Sequence, residues 1–289
     1  VALANFPRQR VLRKYQERSN NDEISTVFRL LYQYKKVDFS VYKKNTIARR
    51  IERRMLTLKL TSLGEYIEHL QKHENEVVML YNDILIGVTS FFRDKESFEA
   101  LENALEQYLA KRPDMDEFRI WIPGTSTGEE AYSIIITLKK LLKGRDIAIR
   151  AFATDIDEDA LRIARRGGYS EASVSEISVH DIQSYFNIKD SEFEVKKPIR
   201  ESVVFSFHNL LADPPFKNID LVVCRNLLIY FTLEAQRHIM PLLHYALKDH
   251  GLLFLGKSEN VTGFEHLFAT QNRNHKVFRQ VPTIKKGLF

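Results

Sequence analysis

The stretch Arg119–Ser133, RIWIPGTSTGEEAYS, passes from a β-type pattern to a helical one within a few residues. Its apolar start predicts a strand, the small residues at 124–128 predict a tight turn, and Glu129 begins a predicted helix. This order brings backbone N–H groups and a helix N-terminus against a ligand. Three interpretations compete: a nucleotide-type cofactor turn, the G-x-S-x-G elbow of hydrolases, and an ordinary strand–helix connection.

The next β-type run favours the cofactor interpretation. The residues AFATDID, which begin at position 151, put Asp155 at the end of a second strand. A Rossmann-like fold holds ribose hydroxyls with an acid at this place, although Asp155 or Asp157 can instead cap the following helix. The hydrolase interpretation needs an acid and a histidine at late strand ends, and Asp220, His244 and His250 have no convincing strand-end positions.

Two acids, Glu129 and Glu130, follow directly after the turn that Gly124 begins. Carboxylates at this place repel a pyrophosphate, and the turn lacks the three glycines of the pattern G-x-G-x-x-G. The same carboxylates suit the ammonium group of S-adenosylmethionine, which carries no phosphate. The sequence therefore favours a methyl donor over NAD.

The chain is predicted to have three parts. Residues 1–22 are polar and are predicted to be a tail or linker. Residues 23–112 show apolar side chains at helical spacing, which predicts an all-helical N-terminal domain. Residues 113–289 alternate short β-type runs with helical stretches, which predicts an α/β domain with a mostly parallel sheet. A segment at about 170–202 breaks this rhythm and is predicted to be a small β subdomain.

Charge and composition limit the class of protein. The net charge is +5, but Lys35–Lys59 alone holds nine basic and two acidic residues, a net +7, which indicates one basic surface for an anionic partner. No apolar run reaches the roughly 20 residues of a membrane-spanning helix, so a cytoplasmic protein is expected. Cys224 is the single cysteine, which excludes an intrachain disulfide, and we expect no metal site.

Five motifs follow one another along the chain: Val88–Asp94 (VTSFFRD), Gly124–Ser133 (GTSTGEEAYS), Ala153–Asp157 (ATDID), His208–Leu211 (HNLL) and Cys224–Phe231 (CRNLLIYF). In this order they resemble the CheR family of chemotaxis receptor methyltransferases, over about residues 25–280. The resemblance implies a Rossmann-like class I fold that binds S-adenosylmethionine, with an all-helical N-terminal domain and a small β insertion. It also implies transfer of a methyl group to glutamate side chains of chemotaxis-type receptors, which leaves S-adenosylhomocysteine.

The resemblance implies a set of cofactor-binding residues. The acids after the first turn meet the methionyl ammonium group, and the acid that ends the second strand holds the ribose. The HNLL motif flanks the adenine, and the CRN residues face the methionyl end. The full set is Thr89, Arg93, Gly124, Glu129, Glu130, Asp155, Asn209, Leu210, Arg225 and Asn226.

Two residues are implied to be catalytic. Arg93 orients the incoming glutamate, and the Tyr230 hydroxyl lies near the transferred methyl group. A carboxylate is already nucleophilic and a sulfonium already activated, so the reaction needs in-line placement rather than a metal or a strong base. Other interpretations are an ion pair of Arg93 with Asp94 or Glu96, and simple packing for Tyr230.

One position departs from the family pattern. Gly87 stands two residues before the threonine of the T-x-F-F-R segment, where the family often has asparagine. The sequence Gly-Val-Thr also occurs in family members that are fused to a methylesterase. A fused or associated methylesterase is therefore one partner that the resemblance implies.

The basic segment contains a predicted helix with four solvent-side arginines, Arg49, Arg50, Arg53 and Arg54. Such a face can bind nucleic acid or an acidic protein, or it can simply be solvated. Nucleic-acid recognition usually adds aromatic platforms. In the resembling family a basic helix recognises the acidic methylation region of receptor helices, so the implied partner is the cytoplasmic helices of a methyl-accepting receptor, with neither nucleic acid nor membrane insertion.

Two other functions stay open. Asp213–Phe216 (DPPF) matches a motif of nucleic-acid amino-methyltransferases, but it precedes the predicted fourth strand instead of following it. A nucleic-acid methyltransferase is therefore disfavoured. The second alternative is a signalling module that binds the cofactor without catalysis.

Overall fold

A computed structural model of the protein describes residues 23–85 and 87–282. The predicted tail or linker over residues 1–22 lies outside them. The described chain divides into two compact units. The helical unit comprises the residues up to 85 together with Tyr230–Ala235, and the α/β unit comprises Gly87–Ile229 and the residues from Gln236 onward.

The helical unit is built from amphipathic helices whose apolar stripes meet in one core. The stripe residues Leu31, Ile47 and Leu80 are fully buried. A capping box, in which Ser62 and Glu65 bond to each other's backbone, begins the third helix. The helices are α1 (Glu23–Lys35), α2 (Lys44–Leu58), α3 (Leu63–Lys72) and α4 (Glu74–Ile84), with a 3-10 turn at Phe39–Val41.

The α/β unit alternates strands and helices, as the βαβ rhythm of the sequence predicts. Its helices are α5 (Lys95–Ala110), α6 (Glu129–Leu141), α7 (Glu158–Arg166), α8 (Glu171–Val174), α9 (Val179–Tyr185), α10 (Lys197–Arg200) and, from Gln236 onward, α11 (Leu233–Ala246). Its strands are β1 (Glu117–Pro123), β2 (Ala148–Asp155), β3 (Gly168–Ser170), β4 (Phe186–Lys189), β5 (Glu192–Val195), β6 (Val203–Phe207), β7 (Ile219–Cys224), β8 (Leu247–Leu255), β9 (Phe268–Asn272) and β10 (Val277–Gln280).

Within residues 87–282, seven strands form one sheet in the order β6-β2-β1-β7-β8-β10-β9. Neighbours from β6 to β8 are parallel, and β10 is antiparallel to both of its neighbours. The chain order reverses at β1, so the carboxyl ends of β1, β2 and β7 form the edge where such sheets bind ligands. A second sheet, β3-β5-β4, is the small β insertion. The Rossmann-like fold class with its helical N-terminal domain is thereby confirmed.

Helix α5 belongs to the α/β unit, whereas the sequence analysis extended the helical domain to residue 112. The physical reason is the core that its apolar stripe joins. The Phe98 ring contacts Phe254 of β8, and the Tyr108 ring contacts Phe118 of β1, each pair with centroids 6.0 Å apart. Amphipathic spacing predicts this helix but does not say which core it covers.

Asp220, which the hydrolase interpretation considered as an acid, has a structural role. It lies inside β7 and is fully buried. Its carboxylate accepts hydrogen bonds from the Tyr108 hydroxyl at 2.7 Å and the Arg119 N–H at 2.8 Å, and it forms an ion pair with Lys248 at 2.9 Å. The carboxylate thus fastens α5 and β8 to the central strands.

Candidate active site

The turn after β1 is tied to the end of β2. The Gly124 N–H donates to the Thr154 carbonyl at 2.7 Å, and the Ser126 N–H donates to Oδ2 of Asp155 at 2.7 Å. Gly128, with φ +96°, ends the turn in the left-handed region, and a Cβ there would lie 2.8 Å from a side chain of α7. Glycine is required at this position because both the backbone angle and the space exclude a side chain.

Asp157 takes the helix-capping role that the sequence left open for either acid, and Asp155 does not. Asp157 caps α7, since its side chain accepts from the backbone of Asp159 and Ala160. The Asp155 carboxylate also accepts from the N–H groups of Ile156 at 2.8 Å and Asp157 at 3.0 Å. Burial raises the pKa of Asp155, and the N–H donors oppose this shift. Asp155 therefore holds a preformed turn beside the place predicted for a ribose.

The acids of the first turn of α6 are both buried. Glu129 accepts from the Thr127 hydroxyl at 2.6 Å, and Glu130 accepts from Nη1 of Arg225 at 2.7 Å. Burial raises the pKa of both carboxyls, and for Glu130 the Arg225 charge opposes the shift. The helix N-terminus also favours their ionised forms.

The Arg225 side chain, directly after β7, is fully buried between two rings. Its Nη2 donates to Oδ2 of Asp94 at 2.9 Å and to the Arg93 carbonyl at 3.1 Å, in addition to the bond from Nη1 to Glu130. The guanidinium lies 4.7 Å from the Phe254 ring centroid and 5.6 Å from that of Phe98. Arg225 thus joins three separate parts of the unit.

The segment that carries Thr89 and Arg93 is held in a strained conformation. Phe92 and Asp94 have φ of +49° and +64°, and the Phe92 N–H donates to the Ser133 hydroxyl of α6 at 2.9 Å. The Arg93 guanidinium donates to the Val88 carbonyl at 2.9 Å, and Thr89 is partly buried. Strain of this kind persists only where surrounding contacts impose it.

Asn209 and Leu210 follow β6, and Leu210 is buried. The Asn209 N–H donates to the Asp213 carboxylate at 2.8 Å, and Oδ1 of Asn209 accepts from the Leu211 N–H at 3.1 Å. Asp213 begins the DPPF segment, which precedes β7. Because its carboxylate bonds to the Asn209 N–H, Asp213 stabilises the loop after β6.

Asn226 has φ +57°, and its N–H donates to Oε2 of Glu259 at 2.9 Å. Glu259 is buried, and the sequence analysis did not single it out. The one local sign of Glu259 in the sequence is its position, four residues after the apolar run that forms β8. A lone acid in a loop does not reveal that backbone groups distant in sequence surround it.

Tyr230 belongs to the helical unit. There its carbonyl accepts from the Lys43 N–H at 2.8 Å, and the neighbouring Phe231 forms a β-bridge with Tyr42. The catalytic role of Tyr230 stays a prediction.

The four arginines of α2 have unequal surroundings. Arg54 is largely buried, and its guanidinium donates to the buried Glu76 carboxylate at 2.9 and 2.7 Å. Arg53 pairs with an acid of α4 at 2.9 Å. Arg49 is exposed, with Nε bonded to a carbonyl of its own helix, and Arg50 is partly exposed. Arg49 and Arg50 are therefore better placed than Arg54 to meet a partner.

The buried charges suit a cationic cofactor without phosphate. Among residues 87–282, the carboxylates of Glu129, Glu130 and Glu259 are buried beside a single buried guanidinium, that of Arg225. Buried carboxylates at this place favour the ammonium and sulfonium groups of S-adenosylmethionine and disfavour a pyrophosphate. In this site Glu129 and Glu130 would hold the methionyl end, and Asp155 the ribose.

Comparisons with known proteins identify the family of the chain. The family model described as "CheR methyltransferase, SAM binding domain" matches residues 87–277, and "CheR methyltransferase, all-alpha domain" matches residues 22–85. The fold, the site and these matches define the protein as an S-adenosylmethionine-dependent methyltransferase. The chain belongs to the CheR family.

Several relatives are similar over most of this chain. The chemotaxis protein methyltransferase of Listeria monocytogenes is 32% identical over 78% of this chain and 85% of its own. That of Escherichia coli is 31% identical over 86% of this chain and 87% of its own. An uncharacterized 104.1 kDa protein of Rhodobacter capsulatus is 36% identical over 84% of this chain, which spans only 26% of that longer protein.

In the two described ranges, no helix combines the length and the apolar character that crossing a membrane requires.

The raised carboxyl pKa values predict how cofactor affinity depends on pH. Burial raises the pKa of Glu129 and Glu130 above 4.5. A bound cation favours the ionised form of these carboxyls. The affinity for the cation therefore falls when the pH is lowered and the carboxyls take up protons. S-adenosylmethionine carries a sulfonium charge that S-adenosylhomocysteine lacks. We expect the ratio of their affinities to fall as the pH is lowered from neutral through the raised pKa of these carboxyls, measured by calorimetry.

Glu129→Gln removes one of these carboxyls and is expected to flatten the pH dependence of that ratio. Glu171→Gln changes an exposed acid of the same unit and serves as the control. A ratio that stays constant with pH contradicts the electrostatic account of the site.

Proposed function

We propose that this methyltransferase esterifies glutamate side chains of chemotaxis-type receptors in the cytoplasm. Relatives that match most of the chain carry the name chemotaxis protein methyltransferase. The observation that carries the acceptor proposal is the basic surface of α2, where Arg49 and Arg50 can meet an acidic helix. The cytoplasmic helices of methyl-accepting receptors fit that chemistry.

The residues of the site fit ester formation without a metal. When bound, S-adenosylmethionine supplies an activated methyl group, and its transfer to a carboxylate oxygen gives a methyl ester and S-adenosylhomocysteine. The acceptor must then be aligned rather than deprotonated, because a glutamate carboxylate is ionised at neutral pH.

Arg93 is the proposed acceptor-orienting residue. Its backbone is fixed by Arg225, and its guanidinium bonds to the nearby Val88 carbonyl. The Val88 carbonyl is a neutral acceptor, so the guanidinium can exchange this bond for a stronger one to a carboxylate. Tyr230 is proposed to donate a hydrogen bond at the methyl-transfer step.

Two further observations bear on the proposal, one from the sequence and one from the structure. The Gly87–Thr89 pattern supports a methylesterase, fused or associated, that removes the ester. The DPPF segment does not support a nucleic-acid acceptor, because its Asp213 bonds within the loop after β6.

Arg93→Ala is expected to lower methyl transfer by about 100-fold, because acceptor alignment is lost. Affinity for S-adenosylhomocysteine should change by less than about threefold, since the buried carboxylates remain. The assay follows tritiated methyl transfer to a receptor cytoplasmic fragment and its release by mild base, which hydrolyses esters but not N-methyl groups. The control is Arg162→Ala, at an exposed arginine of α7 that pairs with Asp159.

Label that resists base, or that appears only on RNA or DNA, contradicts the proposed acceptor. Cofactor binding without transfer to any receptor fragment indicates the non-catalytic module instead. Unchanged turnover in Arg93→Ala rejects only the proposal that Arg93 orients the acceptor.

Reversing charge on α2 tests the partner surface separately. Arg49→Glu with Arg50→Glu is expected to raise the KM for the receptor fragment at least about tenfold, with little change in kcat or cofactor affinity. Arg54→Ala is expected to lose about 3 kcal/mol of unfolding free energy, because the buried Glu76 carboxylate then loses its countercharge and keeps the hydrogen bond from the Tyr66 hydroxyl. The control for the double variant is Arg162→Glu on α7. If this control raises the KM for the receptor fragment as much as the double variant does, α2 is not a specific partner surface.

A further inference from the structure

Glu259 lies in the loop that follows β8, and only 4% of it is exposed. Its carboxylate accepts backbone hydrogen bonds from two neighbouring strand ends. Oε2 accepts from Gly256 at 2.7 Å and from Asn226 at 2.9 Å. Oε1 accepts from Leu228 at 2.7 Å and from Ile229 at 3.3 Å.

These donors lie at the ligand-binding edge of the sheet. Strands β7 and β8 are parallel neighbours, so their carboxyl ends meet there. The residues 226–229 directly follow Arg225, whose guanidinium holds Glu130. A buried N–H group without an acceptor is strongly unfavourable, so the Glu259 carboxylate determines which loop conformation is stable.

The local backbone shows how closely the loop is fitted around this carboxylate. Asn226 has φ +57°, a left-handed conformation that needs support from its surroundings. At Gly256, a Cβ would lie 2.8 Å from Oε2 of Glu259 and 2.9 Å from the Asn226 nitrogen. Glycine at this position therefore allows the two strand ends to approach the carboxylate together.

We propose that Glu259 is a positioning residue for the cofactor, which holds the loop Asn226–Ile229 in the conformation that binds the methionyl part of S-adenosylmethionine. Glu259 acts through backbone groups and does not itself contact the reacting atoms. The inference rests on the cofactor and on the implied role of Asn226. It does not rest on the identity of the methyl acceptor.

Glu259→Gln tests the proposal, because the amide NH₂ cannot accept the hydrogen bonds that one carboxylate oxygen accepts. Calorimetry compares S-adenosylhomocysteine with 5′-methylthioadenosine, which lacks the amino-acid part. We expect affinity for the first to fall at least about tenfold and affinity for the second to stay within about twofold. Amide hydrogen exchange at residues 226–229 should accelerate, while exchange in β1 and β7 stays unchanged.

The matched control is Glu265→Gln, at an exposed glutamate further along the same loop that accepts from the Gly263 N–H at 3.0 Å. It should change neither affinity. Glu259→Asp, which keeps the charge but shortens the reach, is expected to give the same difference between the ligands and replaces Glu259→Gln if that variant does not fold. Any of three results overturns the proposal: equal losses of affinity for both ligands, unchanged affinity for S-adenosylhomocysteine, or unchanged hydrogen exchange at residues 226–229.

Discussion

The guanidinium of Arg225 lies where the first segment of the α/β unit, the N-terminus of α6 and the end of β7 meet. Taking this charge out of water costs several kcal/mol. The cost is offset by the carboxylates of Glu130 and Asp94, by the Arg93 carbonyl and by the faces of two rings. Because the partners come from three separate stretches of chain, the ion pairs form only in the complete fold. The strained segment at Arg93 depends on the same contacts.

The site is therefore built from buried carboxylates that are stabilised in two ways. Glu130 depends on a guanidinium, whereas Asp155 and Glu259 depend on backbone N–H groups of the loops they shape. Backbone donors fix a loop without cancelling the carboxylate charge. Two acids follow the turn after β1, and carboxylates at this place suit the positive groups of S-adenosylmethionine better than a pyrophosphate.

Local features of the site could be predicted from the sequence, because adjacent residues determine them. The turn at Gly124–Gly128, the acid that ends β2 and the parallel sheet all follow from short patterns. The pairing of Arg225 with Glu130 joins residues far apart in the chain, and no local pattern contains that contact. Helix α5 shows the same limit, since its apolar stripe is visible but its partner core is not.

The backbone contacts of Glu259 were missed for a related reason. Three of its four donors lie about thirty residues away, in a loop whose own sequence indicates only a strand end. The motif resemblance singled out Arg225 and Asn226 but did not say that Arg225 is buried. The structure adds that Arg225 can act on the cofactor through the carboxylates and the segment it holds.

A double-mutant cycle between Arg225→Met and Glu130→Leu tests this account most directly. The free energy of unfolding in urea is measured for both single variants and for the double variant. If the buried pair organises the site, Arg225→Met leaves the Glu130 carboxylate without its countercharge, while Glu130→Leu leaves Arg225 paired with Asp94. The effects of the two changes are then not additive, with a coupling energy of roughly 2–3 kcal/mol. Effects that add to within about 0.5 kcal/mol contradict the account, because Arg225 and Glu130 would then contribute independently.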